Sequence, residues 1–305
     1  MSLSAEQSRH VSEITDAIRN TNAEHTPPVP YGRRELRFER PLVMGILNVT
    51  PDSFSDGGEC LTKEAAVRKF QEMVSEGADI IDIGAESTRP GAVPISEDEE
   101  LSRLLPVLRE VVSSKVPVSV DTRHASVAEE AVRAGASIVN DISGLRDPEM
   151  TEVVARSGCP VVAMHMRGDP QNMQSLTVYE DLLGDIHTEL ARILQRAEAG
   201  GIQREKVILD PGIGFAKTTE QNLEIIRRLG ELRSLGRPLL IGASRKRFIG
   251  EISGGGPKER LAGSIAAAVM AVTNGANIVR VHDVAPTVQA LKVAHAVISP
   301  TARPY

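Results

Sequence analysis

A (β/α)8 barrel, the TIM-barrel class, is the fold that this sequence predicts, and three observations predict it. From Leu42 onward, short apolar runs alternate about eight times with longer stretches of helical periodicity. Apolar runs without polar alternation suit parallel strands covered by helices. The eight units occupy ~255 residues, near the ~250 that a closed barrel needs. Almost every run ends in an amide, carboxylate or other polar group, at the end of the strand where parallel α/β proteins carry their chemistry.

The first unit shows the pattern. Val43–Asn48 is an apolar run that ends in an amide and opens into a loop rich in Asp, Ser and Gly. Further strands are expected at Ile80–Gly84, Val118–Asp121, Ile138–Asp141, Val161–His165, Val207–Asp210, Leu239–Ala243 and Ile278–His282. Helices are expected near 62–76, 97–114, 124–134, 148–157, 180–199, 218–235, 257–274 and 285–297. A short repeat supports the alternation: Gly77-Ala78-Asp79-Ile80, Gly135-Ala136-Ser137-Ile138 and Gly275-Ala276-Asn277-Ile278 each close a helix and begin a strand. Glycine suits the left-handed position that ends a helix. No GxGxxG motif marks the first strand–helix turn, which counts against a dinucleotide fold.

Residues 1–40 read as a short N-terminal extension and 41–305 as the barrel domain. Val11, Ile14 and Ile18 have helical spacing. His25–Gly32, with three prolines, reads as a linker, and Glu35–Arg40 as a short β-element covering the bottom of the barrel. Packing or oligomer contact is the role expected of this extension.

Composition narrows the function. Hydrophobic residues make up 41% of the chain and aromatic ones 3%, with no Trp, so the core must be aliphatic. A net charge of −6 lacks the basic footprint of a general nucleic-acid binder. The longest apolar stretch, Ile265–Val272, is eight residues, far short of the ~20 that span a bilayer. The first 40 residues also lack the apolar region of a secretory signal. Cys60 and Cys159 form no ligand cluster and suit a reducing cytoplasm. A cytoplasmic protein is therefore expected, with small-molecule partners and neither a membrane nor a nucleic acid.

The strand ends carry Asn48, Asp82 with Glu86, Asp121, Asn140 with Asp141, His165, Asp210, Ser244 with Lys246, and Arg280 with His282. So many polar groups at one mouth must pair with one another or with a ligand. Asn48, Arg280 and His282 can donate to a phosphate or pyrophosphate, and barrel closure should set them side by side. Asp121, Asn140 and Asp210 offer acceptors that suit a flat heterocycle with an N–C(NH2)–N edge, and Lys246 could reach a ring carbonyl. A nucleophile elbow and an HExxH motif are both missing, which disfavours esterase and zinc-hydrolase chemistry.

The motifs themselves resemble one family. Met44 to Gly58 reads MGILNVTPDSFSDGG, and Glu86 to Gly91 reads ESTRPG. They are followed by Ser119–Thr122, Asn140–Ile142, Met164–Met173, Asp210–Phe215, Ser244–Lys246 and Arg280–Asp283. Over residues ~42 to 298 the chain resembles dihydropteroate synthases, a pterin-binding family of TIM-barrel transferases. The resemblance implies condensation of 6-hydroxymethyl-7,8-dihydropterin pyrophosphate with p-aminobenzoate, giving 7,8-dihydropteroate and pyrophosphate. It implies that Asp121, Asn140, Met164, Asp210, Phe215 and Lys246 hold the pterin. Asn48, Thr88, Arg280 and His282 would hold the pyrophosphate, with Asn48 also a ligand of Mg2+, the implied cofactor. Phe54, Pro90 and Ser244 would meet p-aminobenzoate, Ser244 from a helix start. Asp56, Arg89, Lys246, Arg280 and His282 form the implied catalytic set, and a homodimer is expected.

An arylamine is a weak nucleophile, so the reaction gains most from helping pyrophosphate leave first. Asp56 would then favour a cationic pterin methylene once the loops exclude water. The chain departs from the family pattern in its N-terminal extension and at Ala216, where a glycine is common. Two alternatives share the barrel: a non-catalytic pterin-binding paralogue and a pterin-dependent methyltransferase domain. The complete loop motifs and the Arg280-x-His282 pair disfavour both.

Overall fold

The computed structural model describes residues 26–50, 62–87 and 92–298. The expected helix on Val11, Ile14 and Ile18, together with Phe54, Asp56, Cys60, Thr88, Arg89 and Pro90, lies outside the described residues.

Eight parallel strands form the sheet: β3 (Leu42–Asn48), β4 (Ile80–Gly84), β5 (Val118–Asp121), β6 (Ile138–Asp141), β7 (Val161–Met164), β8 (Val207–Asp210), β9 (Leu240–Ile241) and β10 (Ile278–Val281). The last strand pairs with the first, Arg280 opposite Met44. A parallel bridge between Leu209 and Leu239 joins β8 to the β9 edge. The eight expected strands are therefore present and the sheet closes into a barrel.

Nine helices follow among the described residues: α1 (Lys63–Ser75), α2 (Glu97–Val111), α3 (Ala125–Arg133), α4 (Pro148–Ser157), α5 (Leu182–Ala199), α6 (Thr219–Arg227), α7 (Arg247–Ser253), α8 (Leu261–Thr273) and α9 (Val284–Ile298). Local chemistry sets their ends. Ser96 caps α2 by accepting from the Glu99 N–H, and Thr218 and Gln221 form a reciprocal box that starts α6. The three Gly-Ala repeats behave alike. Gly77, Gly135 and Gly275 have φ of 95°, 111° and 109°, and each following alanine N–H donates to the carbonyl five residues back. That is the helix-ending pattern that places the next strand.

Two helical expectations change. The segment 218–235 breaks at Arg228 into α6 and a 3-10 turn, Leu229–Leu235. A period of three stacks Leu229, Leu232 and Leu235 on one buried face, which an α-helix would spread apart. The segment expected at 257–274 becomes helical in α8 only from Leu261, and the unexpected α7 occupies the loop after β9.

The extension is also redrawn. Val29–Tyr31 (β1) and Arg34–Leu36 (β2) form an antiparallel ribbon, so strand replaces part of the expected linker and the β-element ends earlier than Arg40. Pro30 is tolerated because a two-stranded ribbon has open edges. Val29 and Leu36 pack onto Leu42, Met44, Ile80, Ile138, Val162, Ile208, Leu240 and Ile278, closing the bottom of the barrel with aliphatic side chains. A second, larger cluster packs the alternate strand positions, such as Val43, Ile81 and Val120, against the helices.

Candidate active site

Strand alternation separates the two faces of the barrel wall. Ile80, Ile138, Ile208 and Ile278 fill its lower interior. Two residues further along each strand, the same inward face presents Asp82, Asn140, Asp210 and Arg280. Ser119 and Asp121 do the same on β5, opposite Ile138 and Asn140. The interior thus changes from aliphatic to ionic within one pleat repeat.

Arg280 ties this layer together. Its Nε donates to Asp82 Oδ2 at 2.6 Å and its Nη2 to Asp121 Oδ2 at 2.6 Å. Asn140 Nδ2 donates to the same Asp82 oxygen at 2.9 Å. Burial works against the Arg280 charge, but Asp82 and Asp121 outweigh it and hold the guanidinium ionised. Burial pushes the Asp121 carboxyl up to about 7, with Arg280 opposing and Asp82 adding to the rise. Asp82 Oδ1 and Asp121 Oδ1 are buried without a hydrogen-bond partner. Arg280 and Asn48 come from adjacent strands as expected, but Arg280 pairs with Met44, four residues below Asn48. The Arg280 side chain is accordingly engaged by the acceptor side of the mouth.

Asp210 ends β8, is 7% exposed, and its Oδ1 accepts the Gly212 N–H at 2.7 Å. Burial raises its carboxyl to about 6, against the pull of that bond and of Lys246 and Lys217. The following turn carries Phe215, and Lys246 Nζ lies 4.0 Å above its ring centroid. Met164, Met173, Ile142 and Phe215 form one apolar cluster at this side of the mouth. Ala216 adopts φ 51°, a left-handed backbone that glycine enters more easily.

Lys217 was not among the residues expected at the site. It is 2% exposed, and its Nζ donates to the Phe215 carbonyl at 2.9 Å and to His165 Nδ1 at 3.1 Å. His165 Nε2 then bonds Glu189 at 2.8 Å. Burial, with the Lys217 charge, lowers His165 to about 4, so a neutral ring donates through Nε2. Burial likewise lowers Lys217 to about 7, against Asp210. His165 and Asp141 therefore do not join the mouth. Asp141 accepts from the Ser143 and Leu145 N–H groups at 2.7 and 2.6 Å and shapes its own loop.

Ser244 is buried and its hydroxyl bonds His282 Nδ1 at 3.0 Å. The expected helix start at Ser244 is displaced, because the N-cap of α7 is Lys246. A Cβ on Gly84 would lie 3.5 Å from Asp121 Oδ2 and 3.7 Å from Asn48 Oδ1. Both oxygens therefore lie near one point at the strand ends, at ordinary contact distance from it. One amide oxygen at the barrel mouth fits Mg2+, which takes most of its ligands from substrate and water. Elsewhere, Glu86, Glu100 and His124 offer ligand atoms within 4.8 Å of one another. There, however, Glu100 bonds His124 at 2.7 Å and Glu86 bonds Arg123 at 3.0 Å, which balances their charges.

Residues 44–282 match the family described as "Pterin binding enzyme". The chain is 49% identical over 274 residues to the dihydropteroate synthase of Synechocystis sp., covering 88% of this chain and 95% of that one. It belongs to the dihydropteroate synthase family. Two solved family members superpose closely. The Yersinia pestis dihydropteroate synthase with a sulfonamide drug complex gives a TM-score of 0.86 at 45% identity, covering 89% of this chain and 99% of that one. The Xanthomonas albilineans dihydropteroate synthase with 4-aminobenzoic acid gives 0.85 at 45% identity, covering 90% and 99%. Dihydropteroate synthases are transferases, and the (β/α)8 class expected for this chain agrees with theirs. No helix among the described residues is long and apolar enough to cross a membrane.

Proposed function

We propose that the barrel mouth condenses 6-hydroxymethyl-7,8-dihydropterin pyrophosphate with p-aminobenzoate, and that its residues divide the work as follows. The observation that carries this reading is the convergence of Asp121, Asn140 and Asp210 beside the Lys246–Phe215 pair. Carboxylates match the amino and ring N–H donors of a pterin edge, as they match a guanidinium. Lys246 suits the ring carbonyl, while Met164 and Phe215 supply apolar walls.

Asn48, Arg280 and His282 face the pyrophosphate. Asp82 and Asp121 take Nε and Nη2 of Arg280, and its Nη1 edge can turn toward an anion. Ser244 orients the His282 ring, so its service to p-aminobenzoate is indirect. Asn48 would hold Mg2+, which supplies charge neutralisation to the pyrophosphate. The methylene C–O bond breaks and its electron pair leaves with pyrophosphate, to which Arg280 and His282 donate. The buried acceptors favour the cationic pterin that remains. The arylamine nitrogen then attacks the methylene and loses its proton. Asp56, Thr88 and Arg89, with Phe54 and Pro90 on the p-aminobenzoate side, complete the proposed set from outside the described residues.

We place residues 1–40 outside the catalytic unit and 41–305 within it, in a cytoplasmic homodimer. Met270 on α8 and Val293 and Val297 on α9 are 51%, 64% and 75% exposed, an apolar face suited to a second copy. Sedimentation tests the dimer. The activity test supplies the pterin pyrophosphate, p-aminobenzoate and Mg2+, and measures dihydropteroate and pyrophosphate together. Equal amounts of both are expected, and pterin binding without either product would favour the non-catalytic paralogue.

A further inference from the structure

Asp82 stands in the middle of a strand otherwise made of Ile80, Ile81, Ile83 and Gly84, and it is fully buried. A charge there needs a reason, because aliphatic packing would serve the barrel better. Its Oδ2 atom takes two donors at once, Arg280 Nε at 2.6 Å and Asn140 Nδ2 at 2.9 Å. An ionised carboxylate only accepts. An amide held against it must therefore turn its NH2 group inward and its carbonyl oxygen outward. Asn140 is thereby fixed as an acceptor on the side away from Asp82. Reversed, the same amide would set its NH2 against the donor edge of a pterin.

We propose that Asp82 is a positioning residue for the transfer: one carboxylate sets which way round Asn140 presents its amide and holds Arg280 beside it. This inference rests on the reading of Asn140 as a pterin ligand and Arg280 as a pyrophosphate ligand. Its content is that the two half-sites share a single anchor that touches neither substrate. A pure counter-ion role for Asp82 is the competing account. Asp121 already supplies Arg280 with a carboxylate at 2.6 Å, and a counter-ion would have no need to bond Asn140.

The substitution Asp82→Asn keeps the shape of the side chain but removes its obligatory acceptor character, since an amide can offer either end. Exchanging a charge-assisted bond for a neutral one should weaken binding of 6-hydroxymethylpterin by about tenfold. Calorimetric titration of the wild type, Asp82→Asn, Asn140→Ala and the double variant forms a cycle. Because Asp82 acts on the pterin through Asn140, the double variant should match Asn140→Ala within about twofold. Inhibition by pyrophosphate with Mg2+ should weaken in Asp82→Asn and stay weakened in the double variant, because that effect passes through Arg280. KM for p-aminobenzoate at saturating pterin pyrophosphate should not move.

Wild-type pterin affinity in Asp82→Asn would overturn the proposal, even if the variant unfolds more easily. The same fold-loss with and without Asn140 would also overturn it, and unchanged pyrophosphate inhibition would remove the Arg280 half. Unchanged pterin affinity in Asn140→Ala is a different outcome. It would refute Asn140 as a pterin ligand, and the proposal would fall with that reading.

Discussion

Replacing Asp210 by Asn should move folding stability and ligand affinity in opposite directions. The folded carboxyl titrates at about 6 against an ordinary 3.8, because burial disfavours its charge. Between those pH values the folded state keeps a proton that the unfolded chain has lost. Stability therefore falls as pH rises through that window, and above it the buried charge costs up to about 3 kcal/mol, from about two units at 1.36 kcal/mol each. Asn keeps an oxygen for the Gly212 N–H, now bonded at 2.7 Å, without the charge. The ligand-free variant should gain about 1–3 kcal/mol at pH 7.5, which would raise its melting temperature by a few degrees.

Binding should suffer. With its oxygen held by the Gly212 N–H, the amide turns its NH2 group toward the donor edge of the pterin, so charge-assisted acceptance is lost there at about 2 kcal/mol or more, and affinity should drop at least about 30-fold. Wild-type affinity should decline as pH falls through about 7 and then about 6, as Asp121 and Asp210 take protons. The variant should keep only the upper of these steps. Calorimetric titration with 6-hydroxymethylpterin and thermal unfolding read the two effects separately. A variant of unchanged affinity, or one that unfolds more easily, would refute the placement of Asp210 as a buried charge kept for its ligand.

Three further substitutions probe the frame around that site. Glu189→Gln tests the outer chain. Burial tends to raise Glu189, but hydrogen bonds from His165 and Arg167 hold it at about 2 against 4.5. This depressed group adds stability above pH 4.5 that is lost as pH falls toward 2. With the carboxylate side chain 28% exposed, screening trims the loss to about 1–2 kcal/mol at pH 7. Urea denaturation should show the gap to wild type closing below pH 4.5. Gly212→Ala would drive a Cβ to 2.0 Å from the His165 carbonyl at φ +73°, so a loss of at least ~3 kcal/mol and displacement of the Phe215 turn are expected. Fluorescence-detected unfolding and pterin titration would show it. Arg280→Met removes the cation between Asp82 and Asp121, so the Asp121 carboxyl should rise further. Titration with pyrophosphate and Mg2+ should weaken at least about tenfold.

What the sequence reveals and what it conceals follow from the same geometry. Strand existence is local: runs such as Ile80–Gly84 need only apolar composition and a flanking glycine, so the eight strands and most helices are legible. Facing is not local. His165 and Asp141 look like mouth residues beside Met164 and Asn140, yet one position along a strand reverses the side of the wall. Both turn outward, His165 to Glu189 and Asp141 to its own loop. Lys217 is concealed for a related reason, since its burial depends on an outward His165 52 residues away. Asp82 carried a visible signal, a lone charge among isoleucines, but its partners lie 58 and 198 residues distant. Only barrel closure brings them together. Arg280 shows the consequence for chemistry. Read along the chain with His282, it looks like a phosphate clamp alone; in the closed barrel its Nε and Nη2 are bound to Asp82 and Asp121, the second of them a proposed pterin acceptor. A pyrophosphate that draws on Arg280 must therefore act on the same ion network that sets the charge of Asp121, and departure of one product is coupled to the electrostatics around the other.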